Sequence, residues 1–298
     1  MVRLQLSIGL QYDIAPPGAD FVFNLQPAHT RRQTVVAERL FVSQAVPQYS
    51  HTDAITQVRT LRLSGLPGWL QVNYQATVEL RHHVAAPADV HEVPVAELPT
   101  EVLTYLYPSR YCPSDQLGAL AMRTFGHLPR GYARVQAIQD WVQQQVTFKS
   151  NTSTSLTSAL DTLTDRVGVC RDFAHVMIAL CRALNIPARF TTGIDYGADP
   201  ALGPTDFHAY VEAFLDQRWY LFDPSGTAIP MGFVRIGTGR DAADVSFATI
   251  FGPVKAMAPV ISIAAIVDAT AGWVQPERCG QALSTDDGDG LRPGFPRA

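Results

Sequence analysis

The chain predicts an α+β protein: an antiparallel, β-sandwich-like N-terminal domain, then helices packed on a second antiparallel sheet. Three observations carry this. Residues 1 to about 105 alternate apolar and polar side chains between turn signals, residues 131–184 repeat apolar side chains at helical spacing, and residues 188–222 return to short strand-like runs.

The strands come first. Leu4, Leu6, Ile8, Leu10 and Tyr12 alternate with polar neighbours, as do Val72, Tyr74, Ala76, Val78 and Leu80, and Gly65-Leu66-Pro67-Gly68 is a turn signal. Repetition at roughly ten-residue spacing points to a sandwich or curved sheet. Two prolines, Pro108 and Pro113, end the pattern and mark a connection at 106–118. Val135, Ile138, Trp141, Val142 and Val146 then share one helix face, a second helix spans 155–166, and a third runs from Cys170 to the stop at Asn185-Ile186-Pro187. Strands are expected at 188–194, 207–215 and 218–222, the last two joined as a hairpin through Asp216-Gln217. The division expected is therefore a β-rich domain at 1–105, a linker at 106–118, a second domain at 119–279 and a disordered tail at 280–298, where acidic residues and prolines leave little to bury.

A net charge of −4 with scattered basic residues gives no field for nucleic acid or an anionic membrane. The N-terminus alternates like a strand and lacks the apolar core of a signal peptide, and the apolar stretch at 258–271 is too short to cross a bilayer. The four cysteines, Cys112, Cys170, Cys181 and Cys279, form no C-x-x-C pair or zinc pattern. No metal or other cofactor is implied, and a reducing, cytoplasmic setting is expected.

Chemistry concentrates in one place. Cys170 lies in Gly-Val-Cys-Arg-Asp-Phe-Ala-His at 168–175, at the expected start of the third helix, where unpaired N–H groups and the helix dipole favour a thiolate. Gly168 is expected to let the backbone turn tightly before the thiol. Downstream stand His208 and Asp223, completing the parts of a nucleophile, a base and an orienting carboxylate. Pairing Leu215 with Arg218 across the hairpin makes Asp223 a diagonal neighbour of His208 on the same sheet face. His175 points about 140° around the helix from Cys170 and reads as a buried, satisfied histidine. Asp172 reads as a cap and Cys181 as core.

The same residues resemble the bacterial branch of the transglutaminase-like superfamily, of papain-type fold. The match comprises the 168–175 block, Arg-Ala-Leu-Asn-Ile-Pro-Ala-Arg at 182–189, His-Ala-Tyr-Val-Glu at 208–212, Phe-Asp-Pro-Ser at 222–225 and Gly-Arg-Asp-Ala-Ala-Asp-Val at 239–245. The N-terminal region is also similar to that branch. The resemblance implies a Cys170–His208–Asp223 triad in a papain-like or transglutaminase-like core. Three positions depart from the family pattern: Tyr210 where Trp is frequent, Ser225 where Thr is frequent, and Gly193-Ile194 where Gly-Tyr is usual. They are expected near the substrate groove. Calcium dependence belongs to animal relatives and is not carried over.

The function expected is that of a thiol-dependent amide-bond enzyme, a cysteine peptidase or amidase acting on a peptide or other amide through a thioester on Cys170. With an amine in place of water, the same site would perform transglutaminase-type transfer. The competing class is a non-catalytic binding or assembly protein that keeps the fold and meets a protein partner through its N-terminal β domain.

Overall fold

The structure is a computed structural model that describes residues 1–198 and 205–286. Two N-terminal sheets form the expected sandwich. In the first, Val2–Ile14 pairs antiparallel with Gly68–Leu80, which pairs in turn with Gln33–Val42. In the second, Ala19–Gln26 pairs with Arg59–Gly65, and Tyr49–Thr52 lies beyond. The alternating residues do as the pattern requires: Leu4, Leu6, Ile8, Leu10 and Tyr12 join Phe21, Phe23, Leu61, Leu63, Val72 and Tyr74 in one buried cluster.

Each N-terminal sheet is completed by late sequence, from strands within the span 119–279. Ala248–Phe251 pairs with Ala19–Gln26, while Val254–Ala256 and Val260–Ala265 cover the second edge of Val2–Ile14. The physical reason is the open edge of Val2–Ile14, whose unpaired N–H and C=O groups require partners. The expected tail is also partly built in. Ala282–Ser284 pairs with His83–Ala85, and residues 287–298 of that tail lie outside the described residues.

Between these parts stand, among the described residues, four α-helices and a third sheet. The helices are α1 (Gly118–Phe125), α2 (Tyr132–Gln145), α3 (Ala159–Asp165) and α4 (Cys170–Ala183). α3 is shorter than expected because Ser158 caps it, its hydroxyl and the Asp161 carboxylate forming a capping box. α4 ends where Asn185 takes a left-handed conformation with φ 60° and the Ile186 N–H returns to the Cys181 carbonyl at 3.0 Å.

The third sheet runs Arg218–Phe222, His208–Leu215, Ala188–Asp195, Phe233–Gly239, all antiparallel. Leu215 pairs with Arg218 as expected, through Asp216 and Gln217 at φ 44° and 60°. Ala209, Val211, Ala213, Tyr220 and Phe222 pack with Phe173, Val176, Met177 and Leu180 of α4. Ile194, Val234 and Ile236 belong instead to the N-terminal core, so this sheet joins both halves of the molecule. Its other face holds a buried ionic cluster. Arg189 donates to Glu212 at 2.6 Å and to Asp286 at 2.7 Å, and Arg235 donates to Asp286 at 2.8 Å. Among the described residues no helix is long and apolar enough to cross a membrane.

Candidate active site

Cys170 is the first residue of α4, with Val169 as extended N-cap. Valine offers no side-chain acceptor, so the cap is made in one direction: the Val169 N–H donates to the Asp172 carboxylate at 2.9 Å. Asp172 also accepts from the Ser153 hydroxyl at 2.9 Å and pairs with Arg171 at 3.0 Å, which fits its reading as a cap. Gly168 serves this contact and does not supply the tight turn expected of it. A Cβ there would sit 2.8 Å from the Asp172 Cβ, so a larger residue would displace the cap.

His208 opens its strand and is buried, with its Nε2 3.3 Å from Asp223 Oδ1. That leaves Nδ1 as the second ring nitrogen, and Cys170 lines the same cleft as the imidazole, near enough to raise its pKa. Cys170 itself is partly exposed. The structure thus brings together Cys170, His208 and Asp223.

Asp223 follows the strand Arg218–Phe222 and is held on several sides. Its Oδ1 accepts from the Ser225 hydroxyl at 2.6 Å and the Ser225 N–H at 3.2 Å, and its Oδ2 from the Ala228 N–H at 3.0 Å. Burial alone would neutralise both groups. The charge of His208 at 3.3 Å, with the donors from Ser225 and Ala228, instead holds the Asp223 carboxyl below its ordinary range. Burial likewise opposes the imidazolium, yet the Asp223 carboxylate and the nearby Cys170 raise His208 well above an ordinary histidine. The pair is therefore poised as carboxylate and imidazolium.

The three side chains meet beside a cleft of about 630 Å³ whose walls include Cys170, His208, Tyr111, Phe148, Asp195 and Phe247. A second pocket of about 570 Å³ reaches Asp223 but neither Cys170 nor His208. Among the described residues no group of three or more His, Cys, Asp or Glu is arranged to hold a metal ion.

His175 is fully buried between Tyr111 and Phe190, with ring centroids at 5.0 and 5.1 Å. Its Nε2 accepts from the Ala242 N–H at 3.2 Å, which assigns the proton to Nδ1. Burial, with Arg171 and Arg182 adding repulsion, keeps this ring neutral well below the ordinary pKa. It anchors the 239–245 block, where Asp241 also accepts from the Tyr111 N–H at 2.9 Å. Sequence reasoning missed this anchor, whose partners are distant in the chain, and Asp195, which no local pattern marks.

Residues 119–224 match the family model described as the transglutaminase-like superfamily. A crystal structure of a candidate cysteine protease from Cytophaga hutchinsonii superposes with a TM-score of 0.86 at 35% identity, covering 95% of this chain and 97% of the other. The chain belongs to the transglutaminase-like superfamily. An uncharacterized protein of Mycobacterium leprae is 28% identical over 259 residues, covering 82% of this chain and 90% of its own length. An uncharacterized Mycobacterium tuberculosis protein is 31% identical over 110 residues, 33% of this chain and 35% of the relative.

Two departures from the superfamily pattern acquire a physical meaning. Ser225 supplies a hydroxyl to Asp223, a bond that threonine can also make. Tyr210, expected near the substrate groove, is instead buried beneath His208 and stacks on Phe233 at 4.3 Å. Gly193 lies opposite His208, where a Cβ would fall 2.4 Å from the Val234 carbonyl oxygen. Its lack of a side chain lets the neighbouring strand pass behind the histidine.

Proposed function

We propose that the protein is a thiol-dependent amide-bond hydrolase, a cysteine peptidase or amidase working through a Cys170 thioester. The observation that carries the reading is the His208–Asp223 pair at 3.3 Å, with Cys170 and His208 on the wall of the same cleft. The Cys170 sulfur attacks the amide carbonyl carbon while its proton resides on His208. The carbon–nitrogen bond breaks, and His208 returns that proton to the departing amine. Water then attacks the thioester, gives one proton to His208, and releases the acid and the free thiol. Asp223 fixes the imidazole so that Nδ1 serves the thiol throughout. The Cys170 amide, at the first turn of α4, is a donor for the carbonyl oxygen as it gains charge.

Water is the acceptor favoured here, because Cys170 is partly exposed to a broad cleft and the structural relative is described as a protease. The free cysteines fit a reducing compartment, in keeping with a cytoplasmic site of action. The test is iodoacetamide alkylation of Cys170 between pH 4 and 9, read by peptide mass spectrometry in wild type and His208→Ala. Fast alkylation below pH 7 that collapses in the variant supports the thiol–imidazole pair. A rate no faster than that of an ordinary exposed thiol, unchanged by the variant, overturns it.

A further inference from the structure

Asp195 closes the strand Ala188–Asp195, and the sites considered so far give it no role. Gly193 pairs with His208 across the sheet, so Asp195, two residues on, projects from the same face as the imidazole. It is 3% exposed and lines the Cys170–His208 cleft. Its Oδ2 is buried without a hydrogen-bond partner among the described residues. A buried carboxylate in that condition costs free energy unless a cation or donor meets it.

Among the described residues the surroundings do not supply that cation. Asp223 and Asp206 bear like charge, and the positive group Asp195 senses is His208, which is already paired with Asp223. Arg171, also on the cleft wall, is committed to Asp172 and to the Thr154 carbonyl at 2.7 Å. Burial and the neighbouring carboxylates push the Asp195 carboxyl above its ordinary range, the behaviour of a group short of a positive partner.

We propose that Asp195 anchors a subsite for a positively charged amino group of the substrate, beside the scissile amide. This rests on the acyl-enzyme reading of Cys170 and extends it. The enzyme would prefer amides carrying a nearby primary ammonium, such as a free amino terminus or a basic side chain, over neutral or acidic ones. The ammonium would donate to Asp195 Oδ2 and exchange no atoms.

The experiment compares two methanethiosulfonates at Cys170, the 2-aminoethyl cation and the neutral methyl reagent, with Cys279→Ser removing the exposed thiol. Both meet the same sulfur, so their rate ratio cancels any change in thiol reactivity. Relative to a small free thiol, the wild-type ratio is expected to favour the cation roughly tenfold. Asp195→Asn should abolish that preference, and Asp206→Asn, altering an exposed carboxylate, should retain it. An unchanged ratio in Asp195→Asn, or equal loss in Asp206→Asn, overturns the subsite. Should Asp195→Asn fail to fold, wild type still decides. Propylammonium should slow the neutral reagent saturably where propanol does not, and no protection overturns the proposal. Failure of the acyl-enzyme reading is scored separately: the neutral reagent would then react with Cys170 equally fast in His208→Ala.

Discussion

Strand His208–Leu215 carries an imidazole facing one carboxylate at its start, whereas Glu212, four residues along, meets two guanidinium groups. Both clusters are buried, and both offset the cost of desolvating charge by pairing it. They differ in what the cation can do. Arginine keeps its proton at every physiological pH, so Arg189, Arg235, Glu212 and Asp286 can only hold the segment at 282–286 against the sheet. Histidine can release and recapture a proton, so the pair at the other end can work on a substrate. One sheet thus separates a clamp from a reactive pair by the choice of base.

The largest effect should come from the reactive pair. His208→Ala is expected to lower amide turnover roughly 10²- to 10⁴-fold, measured with any substrate found by screening, while circular dichroism and melting stay near wild type. Comparable turnover in the variant would erase the distinction between the clusters. The clamp should respond in the opposite sense. Glu212→Ala leaves Arg189 short of its partner and is expected to cost roughly 3–5 kcal/mol in denaturant unfolding. At equal folded fraction its Cys170 alkylation profile should match wild type, and a shifted profile would couple the clusters.

His175 sharpens the contrast from a third position. Its folded-state pKa is depressed, so the unfolded chain takes up the proton first as pH falls. The stability it contributes is full above about pH 6.5 and declines below it, by at most about 1.4 kcal/mol per pH unit. His175→Gln should flatten the wild-type decline between pH 6.5 and 5 in melting curves, and an identical slope in both proteins would exclude this assignment. The smallest effect is expected at Ser225. Removing its hydroxyl in Ser225→Ala should cost about 0.5–1.5 kcal/mol and a few-fold in turnover, both restored by Ser225→Thr.

Much of the site was legible because its order is local. Cys170 begins a helix with a readable apolar stripe, and the two-residue turn at 216–217 fixes the register that brings Asp223 beside His208. The sandwich was legible too, since one face of Val2–Ile14 is buried and the alternation survives. Phe233–Gly239 escaped notice because its second half, Gly237-Thr238-Gly239, carries glycines that mark turns more than strands. The pairing of Val260–Ala265 with residues 4–9 was invisible for another reason: partners some 250 residues apart leave no mark in either local pattern. α1 is short, and its apolar positions do not extend beyond two turns.

That distant pairing governs how the molecule comes into being. The strand Val2–Ile14 leaves the ribosome well before residues 254–265, yet one of its edges gains a partner only when those residues have been synthesised. Throughout translation of the intervening chain, an apolar strand keeps a row of unsatisfied backbone groups available to neighbouring nascent chains. Truncation near residue 247 would make that interval permanent, yielding a protein whose Cys170, His208 and Asp223 are all present and whose fate is aggregation.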